Sequence, residues 1–80
     1  MSPMTEELAR LDELIRDLDD RMDTPQGLVR EHLTAARSSL IGSMPEEYKL
    51  ALELARENLP LLDEPLRSRI DEFLNLYSVK

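Results

Sequence analysis

The stretch MTEELARLDELIRDLDDRM, residues 4–22, decides the fold class. Met4, Leu8, Leu11, Ile15, Leu18 and Met22 recur at alternating steps of four and three, the seam of an amphipathic helix. Ser2 can cap this helix, Pro3 suits its first position, and Glu6 and Glu7 sit where the helix dipole favours anions. Glu6 with Arg10, Asp12 with Arg16 and Asp17 with Arg21 form acid-first i,i+4 pairs. The spacing predicts a helix from Pro3 to Met22.

The same period runs outward along the chain. Thr24-Pro25 repeats the pairing of a cap with a proline, and Val29, Leu33, Ala36 and Leu40 make the stripe of a second helix that Gly42 stops. Gly27 falls in its first turn, where glycine costs less than at mid-helix. Ser43 and Glu46 have capping-box spacing before a third helix whose face is Tyr48, Ala51, Leu52, Ala55 and Leu59. Pro60 stops or kinks it, because proline lacks a donor and clashes one turn back. Asp63-Glu64-Pro65 opens a fourth helix with Leu66, Ile70, Phe73, Leu74 and Tyr77 on one side. No stretch alternates at period two for long enough to be a strand.

The expected fold is therefore all-α. It is a small antiparallel bundle of four helices, or three long helices with a kink at Pro60, in a single domain over residues 1–80. Linkers of two to four residues favour antiparallel neighbours. The chain has 80 residues, 16 of them leucine, with 17 acids against 10 Lys and Arg and a net charge of -7. The charge segregates by helix: residues 1–23 and 45–64 are acidic, while 24–44 and 65–80 are each slightly basic. Neighbouring helices can therefore pair across the bundle.

This composition excludes several functions. Without cysteine there is neither a disulfide framework nor a thiolate metal site. No apolar run approaches a membrane span, and Met1–Leu11 lacks the form of a signal peptide, so a cytoplasmic protein is expected. The acidic balance disfavours direct contact with nucleic acid or anionic lipid. A helix-turn-helix over Leu33–Glu57 would present Pro45-Glu46-Glu47 to phosphates.

Catalytic groupings are sparse. His32 is the single histidine, at the margin of the second helix's stripe, and has no zinc-type companions. Asp17, Asp19, Asp20 and Asp23 crowd the end of the first helix and are candidates for contact with a basic partner. They do not make an EF-hand, since the sixth position from Asp17 is Met22 and the twelfth is Leu28. No catalytic, cofactor or metal-binding residue is assigned, no small-molecule substrate is expected, and the chain is not expected to be an enzyme.

Two short stretches resemble parts of known families. Ser38-Ser39-Leu40 resembles the Asp-Ser-Leu of acyl carrier proteins at two positions of three, but it lacks the aspartate and falls two-thirds along a helix. No phosphopantetheine arm follows from it. Glu47–Ala55 resembles the second helix of a tetratricopeptide repeat, with Tyr48 and Ala51 at its spacing. The Trp and Leu-Gly positions of the preceding helix are missing and there is no second copy, so the likeness implies only close helix packing.

Leucine is in excess of what one face per helix requires. Leu50 and Leu54 lie roughly opposite the Tyr48, Leu52 and Ala55 side, and Leu14 lies beside the seam of helix one. Either helix three is sandwiched between helices one and four, or an apolar stripe is left for another chain. Interface candidates are Leu8, Leu11, Ile15 and Leu18, whose heptad suits a two-stranded contact, together with Leu50 and Leu54. The expected function is a small acidic intracellular protein–protein interaction module, self-associating as a homo-oligomer or binding another protein. The alternative is an acidic inhibitor or antitoxin-like protein that binds a basic or nucleic-acid-binding target.

Overall fold

Helices α1 (Pro3–Asp17), α2 (Pro25–Ile41), α3 (Pro45–Asn58) and α4 (Leu66–Tyr77) follow one another, with one 3-10 turn, Leu59–Leu61, after α3. The computed structural model describes residues 3–77, with side chains from Thr5 onward, and contains no strand among them. The expected cap Ser2 and the seam position of the Met4 side chain lie outside the described residues. The all-α bundle is as expected, and Pro60 resolves as a break rather than a kink within one long helix.

Helix α1 ends five residues before the expected Met22. Carboxylates at Asp17, Asp19 and Asp20 oppose the dipole at a helix C-terminus, and the chain leaves the helix there. Leu18 turns inward and is 5% exposed, whereas Met22 is 57% exposed and belongs to no seam. Side chains take over the backbone groups in the loop: Asp19 Oδ1 accepts the Arg21 N–H at 2.9 Å, and Gln26 Oε1 accepts the Asp19 N–H at 2.9 Å. Arg30 Nε donates to the Ile15 carbonyl at 3.2 Å, so α2 closes the free end of α1.

Thr24 caps α2 as expected. Its extended backbone lets Oγ1 accept the Gly27 N–H at 3.0 Å, with Pro25 in the first turn. Gly27 has a stronger role than a tolerated residue. A Cβ there would overlap the Arg21 carbonyl, so the glycine lets the α1–α2 loop lie directly on α2.

The α2–α3 turn differs from the expected capping box. Ser43, at φ 56°, takes the left-handed position, its N–H donating to the Leu40 carbonyl at 3.3 Å and that of Met44 to Ser39 at 2.9 Å. This pair of bonds is a Schellman closure, with serine where glycine is usual. Met44 precedes α3 with no side-chain cap. Gly42 ends α2 at a negative φ and does not need glycine's freedom.

At the other end of α3, Asn58 Nδ2 bonds the Leu54 carbonyl at 2.8 Å. The 3-10 turn then carries Pro60 past the helix and buries Leu59 and Leu62. Glu64 caps α4, accepting the Ser68 N–H at 2.9 Å and the Ser68 hydroxyl at 2.8 Å. These bonds to Ser68, helped by Arg67, hold the Glu64 carboxyl below its ordinary range.

Helices α2 and α3 form an antiparallel hairpin and the most extensive helix pair; α1 packs on α2, and α4 lies against α1 and the end of α3. Helix α3 is therefore not sandwiched between α1 and α4. Leu11, Leu33, Leu52, Ile70 and Leu74 are the largest fully buried side chains, so every helix contributes to one core.

Polar contacts hold α1 to each of the other helices. Asp12 pairs with Arg37 of α2, Asp17 Oδ2 lies 2.8 Å from Nη1 of Arg69 on α4, and the Tyr48 hydroxyl of α3 donates to Glu7. The alternation of acidic and basic helices thus places real pairs at the α1–α2 and α1–α4 seams. Their ionic members remain partly exposed, so they favour this arrangement of helices more than they add stability. Burial first, and the Glu7 carboxylate second, push the Tyr48 hydroxyl well above the ordinary tyrosine range.

Candidate interaction face

The heptad of α1 does not form a free face. Leu11 is 0% exposed and Leu18 5%, and Leu14, expected beside the seam, is buried with them. Ile15 packs against the core from a half-buried position, and Leu8 is also half-buried. As a correction, Leu11 and Leu18 are core residues with no surface to offer another chain. The antiparallel packing of α1 on α2 and α4 uses the seam that a coiled-coil partner would need.

The acidic corner is also largely occupied within the chain. Asp17 is paired with Arg69, Asp19 organises the loop backbone, and Asp23 Oδ2 lies 3.5 Å from Arg21. Asp20 is exposed. Among the described residues no group of three or more His, Asp or Glu side chains could hold a metal ion. No buried side-chain nitrogen or oxygen among them lacks a hydrogen-bond partner.

Leu50 behaves differently and is 56% exposed. On α3, Tyr48, Ala51, Leu52 and Ala55 turn inward, so Leu50 is left on the outside, with the half-buried Leu54 one turn on. The facing wall comes from α2. His32, Ala35 and Ser39 share a side at steps of three and four, and with Glu47, Leu50, Ala51 and Leu54 they line one groove. Ala35, Ser39 and Ala51 are small, which makes the groove a shallow trough along the hairpin. Leu28 falls on the same side of α2, one turn before His32, and is half-buried.

The groove contains Leu50 and Leu54 of the interface candidates and none from α1. Sequence reasoning missed the α2 wall, although its signal was present: residues 28, 32, 35 and 39 repeat at helical spacing outside the main stripe. Further apolar exposure lies at the α2–α3 turn, in Ile41 and Met44, and beyond α3 at Leu61, with Leu76 on α4. No helix among the described residues is long and apolar enough to cross a membrane. The chain is thus, by class, a small acidic all-α bundle with an open trough on one hairpin. Comparison with protein-family models, curated proteins and solved structures gives no match.

Proposed function

We propose that the protein is a small cytoplasmic interaction module with no chemistry of its own, and that its contact surface is the outer trough of the α2–α3 hairpin. The exposure of Leu50 beside Leu54 and Ala35 supports this reading, because burying a leucine of that kind at a contact contributes about 1.5–3 kcal/mol. With Leu11 and Leu18 in the core, helix one has little apolar surface left for self-association, and Leu50, with Leu54 one turn on, is the better-exposed candidate for a second copy.

The alternative of an acidic protein directed at a basic target draws support from a separate observation. Glu46, Glu47, Glu53 and Glu57 are exposed on α3 and take part in none of the ion pairs among the described residues. Both readings use one face. Photo-crosslinking in the native cell tests it: a photoreactive residue at Leu50 should trap one discrete partner species, and the same residue at Asp71 on α4 should not. Equal trapping at both positions, or trapping at Asp71 alone, would refute the assignment of the face.

A further inference from the structure

The charges around the trough identify its occupant more closely. At roughly 100° per residue, Glu57, Glu46 and Glu53 fall within about 60° of Leu50 on one flank. Glu47 lines the trough on the other. Glu31 stands exposed on α2, one residue before His32 of the facing wall. Lys49 and Arg56 fall farther round α3, beyond Glu53, at roughly 100–120° from Leu50. Among charged residues, carboxylates are therefore the nearest neighbours of the apolar strip on both sides.

A second copy of this chain would bring the same surface, so both flanks would set carboxylate against carboxylate. Like charges placed opposite one another disfavour such a pairing. We infer that the trough receives a basic amphipathic helix of another protein, with leucine-type side chains between Leu50, Leu54 and Ala35 and Lys or Arg over the flanking glutamates. The lining runs from His32 to Ser39 on α2 and from Glu47 to Leu54 on α3, about two turns, which suits apolar anchors at i, i+4 and i+7. The small floor residues let a third helix lie close to the hairpin. This inference rests on the trough being the contact face and adds the chemistry of its partner.

Two designed helical peptides of about four turns test it. Both carry the same leucine stripe, one flanked by lysine and the other by glutamate. The full chain alone should scatter light with the mass of one chain. The lysine peptide should bind at least about tenfold more tightly at low salt, and the difference should shrink as salt screens it. Amide shifts should concentrate at Ala35, Ser39, Leu50 and Leu54. Leu50→Glu should abolish binding, and the surface pair Glu53→Lys with Glu57→Lys should remove the preference for the lysine peptide. Equal affinity for the two peptides, or shifts centred elsewhere, would overturn the inference. A wild-type mass of two chains that Leu50→Glu halves would also overturn it while leaving the contact face in place. If neither peptide shifts these amides the inference falls, and crosslinking at Leu50 separately decides the fate of the face.

Discussion

Helices α1 and α3 both carry more leucine than one narrow stripe needs, yet the bundle uses them in opposite ways. In α1 the surplus is drawn inward: Leu11 and Leu14 are buried, as is Leu18 just past the helix end, and side chains from α2, α3 and α4 bind its carboxylates or its last turn. In α3 the inward face is complete with Tyr48, Ala51, Leu52 and Ala55, and Leu50 remains outside. A heptad is therefore a statement about spacing and not about partners. What decides between core and contact is how many neighbours reach each face. Helix α1 has neighbours on α2 and α4, whereas the outer side of the α2–α3 hairpin has none among the described residues.

The largest expected effect separates the two helices directly. Leu11→Ala should destabilise the fold by about 2–5 kcal/mol, the cost of a cavity in a packed core, whereas Leu50→Ala should change stability by less than about 0.5 kcal/mol. Chemical denaturation of the two variants checks this, and similar losses at both positions would break the comparison. Next in size is Gly27→Ala, expected to cost about 1–3 kcal/mol, because the new methyl has to displace the backbone at Arg21. Its footprint should be local, with faster amide exchange over the α1–α2 loop and the first turn of α2 and no change at Leu50.

The link between α1 and α3 has its own signature. Tyr48 has a raised folded-state pKa, so its contribution is fully present below the ordinary tyrosine value of about 10 and is lost as pH rises above it. Wild type should therefore lose stability at alkaline pH more steeply than Tyr48→Phe. At neutral pH the variant should be weaker by about 1–2 kcal/mol for the missing bond to Glu7. Parallel alkaline profiles for the two proteins would show that the contact does not hold α1 to α3. The smallest expected effect is at the turn between α2 and α3. Ser43→Gly relieves a left-handed serine and should raise stability by no more than about 1 kcal/mol, since glycine's extra freedom when unfolded offsets part of the gain. A lower melting temperature would contradict the Schellman closure described for that turn.

Much of the fold could be read from local chemistry. Thr24 before Pro25 and the break at Pro60 each work through atoms within a few residues, so their positions were visible in the chain; Gly42 marks where α2 ends, but Ser43 and not the glycine takes the left-handed position. The expected span of α1 failed because its end depends on distant groups. Gln26, Arg30 and the space beside Gly27 take over the loop, and a heptad that continues through Leu18 to Met22 carries no sign of them. The capping box failed for a related reason: the chain closes α2 through Ser43, which then has no freedom to cap α3. Leu50 and Leu54 were legible as a second face, since a helix wheel separates them from Tyr48 and Leu52. Which of the two leucine-rich faces stays open was not, because that depends on which helices pair most extensively.

Within one chain the α2–α3 trough stays open while the α1 seam is closed. Leucine methyl resonances of the wild-type protein, recorded with a soluble paramagnetic relaxation agent at a concentration where light scattering gives one chain, test it most directly. The Leu50 methyls should broaden strongly and those of Leu54 to an intermediate degree, while Leu11 and Leu18 should be protected. Leu50 methyls as protected as those of Leu11, or Leu11 and Leu18 broadened like Leu50, would contradict it.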